Sequence, residues 1–300
     1  MIPSRRLLLL HAHPDDEVIT TGATMAYYAA QGVGVTLVTC TLGEEGEILV
    51  PALTLLASDQ ADQLGGYRIS ELAAAMARLG VTDHRYLGGP GRFRDSGMMG
   101  TSTNNHPRAF WRADGDGAMF DAAVAAAVDV IREVRPQVVV TYDPNGQYGH
   151  PDHIMAHRVA TAAVDAAADP AYDQVAREPW CVTKIYWTAA PRSVLRRQQA
   201  AMRAAGKPFL GVENVEDLPF GVEDDEVTTA VHAVGFGDAK MRALAEHATQ
   251  VTVDGDFFAL SNQLGREIES TEYFRLVRGV LGPDRGGDGW ESDLFDGLTT

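Results

Sequence analysis

"RLLLLHAHPDDE", residues 6–17, decides the fold. Four consecutive leucines leave no polar face, as expected of a strand buried on both sides of a sheet. The run stops at two histidines, a proline and three carboxylates packed into residues 11–17. Proline followed by acidic residues suits the first turn of a helix, where a fixed φ and the positive end of the dipole favour them. One aspartate would cap that helix. The doubled Asp15–Asp16 therefore needs a second reason.

The same rhythm of strand then helix continues outward from this stretch. "TGATMAYYAAQG" (21–32) is helical and stops at Gly32, and "VGVTLVTCTLG" (33–43) is a β-branched strand. Residues 58–80 are helical, with Ile69, Leu72, Met76 and Leu79 on one face and Gly80 as the stop. "HRYLG" (84–88) is a short strand, residues 119–136 an amphipathic helix striped by Phe120, Val124, Val128 and Ile131. "QVVVTYD" (137–143) and "KIYWTAA" (184–190) complete the strands of the first part. This alternation predicts an α/β fold: a Rossmann-like, mostly parallel sheet with helices on both faces. The expected division is a core of residues 1–190 and a smaller C-terminal subregion, 191–300, packed on the core and completing its pocket. That subregion holds a helix (191–206), an acidic stretch (212–226), an alternating run (227–234) and a second helix (236–251). The Gly/Asp-rich tail 282–293 is expected to be partly mobile. The polar, aperiodic segment 89–117 is long for a plain connection and points to a functional or mobile loop.

Bulk properties narrow the function. The chain has 300 residues, 45% hydrophobic and 22% charged, and no apolar run approaches a membrane span. A net charge of −16 argues against nucleic acid or an anionic membrane as partner. The leucines after Arg5 and Arg6 are too few for a signal peptide, so the expected compartment is the cytoplasm. Cys40 and Cys181, both read in strand segments, are expected to be buried inert thiols. No motif fixes an oligomeric state.

In parallel sheets ligands bind outside the carboxyl ends of the strands. Three polar loops fall there: "HAHPDDE", "TLGEEGE" (41–47) and "DPNGQYGHPDH" (143–153). His13 and Asp16 are three apart, and His150 and His153 repeat that spacing. Imidazole with carboxylate suits zinc, iron or a similar divalent ion, and three protein ligands plus water make an open catalytic site. If Asp16 holds the metal, Asp15 is free to act as general base. Capping explains one His-Pro-Asp motif; it does not explain two at the ends of parallel strands.

"HAHPDDE" with the later "HPDH" resembles the zinc-dependent de-N-acetylases of the LmbE and glucosaminyl-phosphatidylinositol deacetylase superfamily. "TCTLGEEGE" (39–47), "DQLGGYRISEL" (62–72), "YLGGPGRFRDSGM" (86–98), "HATQV" (247–251) and "ALSNQL" (259–264) extend the likeness over nearly the whole chain, toward the branch acting in mycothiol biosynthesis. The resemblance implies one divalent metal per chain, Zn2+ with Fe2+ as the alternative, held by His13, Asp16 and His153. It implies Asp15 as base, and His150 as an imidazolium that stabilises the oxyanion and protonates the leaving amine. Asp152 would orient His150, and Tyr148 would hydrogen-bond the oxyanion. Arg68 and Asp95 match substrate-binding positions, and Glu47 is expected to reach the site from its loop. The implied substrate is a neutral pseudo-disaccharide, N-acetyl-glucosaminyl-inositol, deacetylated at its amide.

A related amidase of mycothiol S-conjugates shares the metal site but carries a lysine shortly after "DDE"; "VITTG" (18–22) has none. A nucleotide-binding module is disfavoured because no Gly-x-Gly-x-x-Gly follows the first strand. A non-catalytic sugar binder would need neither Asp15 nor His150. Of the other histidines, His11 is expected to pack beside the site and His157 to be structural. His247 is a candidate to reach the pocket, and His84, His106 and His232 are surface or packing residues.

Overall fold

The computed structural model describes residues 4–207, 212–261 and 265–298. In chain order the first part comprises β1 (Arg6–His11), α1 (Asp16–Ala30), β2 (Gly34–Thr39), α2 (Leu64–Leu79), β3 (Asp83–Tyr86), α3 (Gly117–Val134) and β4 (Val138–Thr141). Then come α4 (Gly146–Gly149), a single distorted turn, α5 (Pro151–Ala168), β5 (Lys184–Ala189) and α6 (Arg192–Ala204). The last part holds β6 (Thr229–His232), α7 (Gly237–Glu246), β7 (Val251–Asp254), β8 (Phe257–Leu260), β9 (Gly265–Glu267) and β10 (Thr271–Arg278).

The leucine run is central because both its faces are apolar. Seven strands lie in the order β3-β2-β1-β4-β5-β10-β6. The five from β3 to β5 are parallel, with Leu8 opposite Thr36 on one side and Val139 on the other. Leu7 and Leu9 join one core with α1, α2 and α7; Leu8 and Leu10 join a second core with α3 and α5. The expected mostly parallel sheet with helices on both faces is therefore present. All five parallel strands point their carboxyl ends the same way, which gathers the loops after β1, β2 and β4 on one edge.

The C-terminal part departs from the sequence reading. β10 inserts antiparallel between β5 and β6, and β7, β8 and β9 form a separate antiparallel sheet. These short strands lack the long periodicity that marked the others. The expected helix over 236–251 stops at Glu246, and residues 251–254 are β7. Cys40 is buried, but Cys181 lies exposed ahead of β5 instead of inside a strand. Within the "ALSNQL" stretch, residues 262–264 lie outside the described residues.

The tail is anchored rather than loose. Glu291 is fully buried and takes hydrogen bonds from Lys184 Nζ (2.6 Å), Tyr186 (2.5 Å), Thr229 (2.8 Å) and the Gly282 N–H (2.8 Å). Lys184 Nζ also donates to the Asp296 carbonyl (2.7 Å). Composition alone suggested mobility; one buried ion pair overrides it. Removing one member of such a pair strands the other charge in a dry interior. Glu291→Ala should therefore lower the unfolding free energy by about 3–5 kcal/mol, read from urea denaturation. A loss near zero would mean that the tail is not part of the cooperative fold.

Candidate active site

The chain leaves β1 through a strained turn. Asp15 sits at φ 109°, ψ −36°, a conformation that costs a side-chain-bearing residue about 1–3 kcal/mol. Its carbonyl accepts from the Val18 and Ile19 N–H groups (3.0 Å each), so it occupies the cap position of α1. Its carboxylate makes no capping bond. It turns instead to Arg68 of α2, whose Nη2 lies 2.9 Å from Oδ2. The buried guanidinium also donates to the carbonyls of Pro14 and Gly43, the latter at 2.8 Å. Gly43 has φ +67°, and a Cβ there would collide with that guanidinium.

Asp16 faces the other way. Its Oδ2 accepts from the His13 N–H (3.0 Å) and the Tyr142 hydroxyl (2.8 Å), and lies 3.1 Å from His13 Nδ1 and 3.2 Å from His153 Nε2. Tyr142, just past β4, stacks on His153 with ring centroids 4.3 Å apart, and its oxygen accepts the Ala12 N–H (2.9 Å). His153 is delivered by the first turn of α5, packed over Gly146, where a Cβ would lie 2.7 Å from the His153 Cβ. The three expected ligands, His13, Asp16 and His153, are thus brought together from two strand ends.

The opposite wall is acidic. His13 Nε2 lies 3.2 Å from Asp152 Oδ2 and 3.5 Å from Asp95 Oδ1. Asp152 is held by the Ser96 N–H (2.8 Å) and the Ser96 hydroxyl. Asp95 is held by the N–H groups of Glu45 (3.1 Å) and Gly97 (2.8 Å). The 89–117 segment is no loose loop: Asn104 and Thr103 bind the Ser96 carbonyl, and Arg94 and Phe110 pair across it. His150 lies with His13 and His153 in one cluster, with a nitrogen of each within 4.8 Å of the others. Tyr148 is exposed at the rim, its ring edge-on to His153. It follows Gln147, whose φ of 61° is a second strained point at the site.

A cation fits this donor set. His153 is fully buried, and among the described residues neither of its ring nitrogens makes a hydrogen bond, Nε2 lying 3.2 Å from Asp16 Oδ2 without the geometry of one. Buried polar atoms are rarely left so. Burial opposes charge on His13, but Asp95, Asp152 and Asp16 outweigh it and hold its pKa well above the usual value. Carboxylates converge here where positive charge belongs, as around a divalent ion. The two adjacent aspartates are electrostatically distinct. Burial, eased by Arg68 and reinforced by Asp16, pushes Asp15 up to about 6. Asp16 resists the same burial because His153 and His13 hold it well below the carboxylate range.

Burial, with His13 and His153 alongside, pushes His150 down to about 2. One expectation is corrected: Asp152 meets His150 through its main-chain N–H, which donates to Nδ1 (3.2 Å), while its carboxylate serves His13 and Ser96. A filled Nδ1 leaves Nε2 as the proton-bearing nitrogen of the neutral ring.

Arg68 and Asp95 border the cluster, Arg68 through Asp15 and Asp95 through His13. Glu47 is exposed on the loop after β2, with no hydrogen bond or ion pair to the cluster. His157 Nδ1–H donates to the Tyr142 carbonyl (2.9 Å) and holds the loop, and His11 lies between Tyr142 and Thr21. The sequence reading gave no role to Tyr142, Ser96 or Glu17. Tyr142 ends the "VVVTY" strand, so its position at the carboxyl edge was the available signal; Ser96 had none beyond standing next to Asp95.

The profile of the GlcNAc-PI de-N-acetylase family, PIG-L, matches residues 8–164. A protein of Geodermatophilus obscurus, 1D-myo-inositol 2-acetamido-2-deoxy-alpha-D-glucopyranoside deacetylase, is 63% identical over 99% of this chain and 99% of its own. One of the same name from Acidothermus cellulolyticus is 62% identical over 98% of this chain and 95% of its own. Among solved structures, the N,N'-diacetylchitobiose deacetylase of Pyrococcus horikoshii shares the fold with a TM-score of 0.58. It covers 92% of this chain and 84% of its own at 17% identity.

The Tyr142 hydroxyl donates to Asp16 Oδ2 (2.8 Å). Groups that support metal ligands in this way typically contribute 10–100-fold to affinity. Tyr142→Phe should therefore weaken zinc binding by about that factor, about 10–100-fold, in a calorimetric titration. Unchanged affinity would remove Asp16 from the ligand set.

Proposed function

The chain belongs to the GlcNAc-PI de-N-acetylase family, and on that premise we propose that it hydrolyses the acetamide of 1D-myo-inositol 2-acetamido-2-deoxy-α-D-glucopyranoside. The products are acetate and glucosaminyl-inositol, a step of mycothiol biosynthesis. The observation that carries the reading is the split fate of two adjacent carboxylates, Asp16 among imidazoles and Asp15 apart from them on Arg68. Full-length relatives of that activity support the substrate.

His13, Asp16 and His153 would hold one divalent ion, Zn2+ by the nitrogen-rich donor set. When bound, such an ion supplies Lewis-acid polarisation of the acetyl carbonyl and acidifies water at neutral pH. The rest is done by the chain. Asp15 is mostly buried, paired with Arg68 and pushed up to about 6, which suits it to take a proton from the attacking water near neutral pH. His150 then donates Nε2–H to the developing oxyanion, and Tyr148 at the rim adds a second donor. Asp15, now carrying the proton taken from water, and His150 are the two groups assigned to protonate the departing amine. Asp152 fixes His150 by its N–H and His13 by its carboxylate. Asp95, Arg68 and the exposed Glu47 are assigned to the sugar and inositol hydroxyls.

Residues 1–190 supply these groups, and we assign 191–300 to completing the pocket; His247 of that part hydrogen-bonds Glu17 in the first turn of α1. A charge of −16 suits a neutral small-molecule substrate and neither nucleic acid nor an anionic membrane. No helix among the described residues is long and apolar enough to cross a membrane. We assign the reaction to the cytoplasm, where two free cysteines persist without pairing.

Zinc-loaded protein should release primary amine from the pseudo-disaccharide, and chelation should abolish it. Asp15→Ala should lower kcat by about 10²–10⁴-fold, the usual worth of a general base. Full activity in Asp15→Ala would exclude Asp15 as the base. Metal-dependent release from mycothiol conjugates but not from the pseudo-disaccharide would exclude the substrate.

A further inference from the structure

Arg68 grips the Asp15 carboxylate; a second device grips the Asp15 main chain. The Asp15 N–H donates to Glu17 Oε2 (2.9 Å), and Glu17 Oε1 lies 2.9 Å from His247 Nε2. Both Glu17 and His247 are fully buried. Among the described residues the other nitrogen of His247 has no hydrogen-bond partner, which leaves Glu17 as the ring's one polar commitment there.

In an ordinary capping box the cap side chain bonds the helix while a glutamate one turn in reaches back to the cap N–H. Here only a version of the second half is made, from a glutamate two residues past the cap rather than three. Glu17 holds the Asp15 N–H, and the Asp15 side chain is released from the helix. We propose that Glu17 and His247 are positioning residues that lock the Asp15 main chain at positive φ, so that its carboxylate faces the cleft instead of capping α1. This rests on the reading of Asp15 as the base.

Both grips lead back to one face of one helix. Arg68 and Glu71 are three apart on α2. Glu71 accepts from the Thr249 N–H (2.9 Å) and the Thr249 hydroxyl (2.7 Å), two residues beyond His247. The Arg68 line ends on the Asp15 carboxylate. The Glu71 line runs through Thr249, His247 and Glu17 to the Asp15 N–H. A segment 230 residues away in sequence from Glu17 thereby sets the geometry of the reacting group.

The test compares His247→Ala and His247→Gln in full-length, zinc-loaded protein with the pseudo-disaccharide. His247→Ala should lower kcat by about 100-fold, the typical cost of a small misplacement of a reacting group, with KM and metal content unchanged. His247→Gln, whose amide can still donate to Glu17, should recover part of the loss. In an Asp15→Ala background His247→Ala should cost nothing further, because residues acting along one line are not additive. A crystal structure of the His247→Ala variant should show Asp15 out of the positive-φ region. An equal loss of kcat in the Asp15→Ala background, or an Asp15 still at positive φ and on Arg68, overturns the proposal. If the wild type releases no amine, the substrate reading fails and the Asp15 conformation alone decides the role of His247. Should His247→Ala fail to fold, His247→Leu, which fills the space but cannot donate to Glu17, carries the same readouts.

Discussion

One backbone conformation organises the site. With Asp15 at φ 109°, two neighbouring carboxylates point in opposite directions, one to Arg68 and one into the imidazole cluster. In a regular helix start, both would compete for the same N–H groups at the end of α1. The strain separates them, and separation gives them different electrostatics. Asp15 is raised by burial into the range of a base, while His153 and His13 keep Asp16 ionised. Each role depends on the other carboxylate being elsewhere.

The sheet supplies what the turn cannot. β1 and β4 are adjacent and parallel, so the loop that bears His13 and Asp16 and the loop that bears His150 and His153 leave the same edge side by side. The doubly apolar leucine run fixes β1 in the middle and thereby fixes this neighbourhood. β2 brings the third loop, whose Glu45 N–H steadies Asp95 on the acidic wall. Both aromatic and hydrogen-bond contacts of Tyr142 tie the β4 end to the β1 end directly.

Much of this was legible in the sequence, for a physical reason. Strands buried on both faces and helices striped on one face are strong local signals, and β1 to β5 follow them to within a few residues. The ligand candidates stood out because histidine and aspartate at strand ends have few other uses. What was illegible depended on distance. Nothing local marks Glu291 as the partner of Lys184, so a glycine-rich tail read as mobile. β10 is inserted between strands that precede it, a crossover no short pattern encodes. Nor could spacing show that Asp152 serves His13 with its carboxylate and His150 with its N–H.

The divergence of Asp15 and Asp16 can be seen in a crystal structure of the zinc-loaded protein recorded at the zinc absorption edge. A single anomalous peak is expected at about 2.0–2.2 Å from His13, Asp16 and His153, with Asp15 still on Arg68. A peak bonded to Asp15, or seated among His13, Asp95 and Asp152, would contradict the assignment of one aspartate to the metal and the other to the proton.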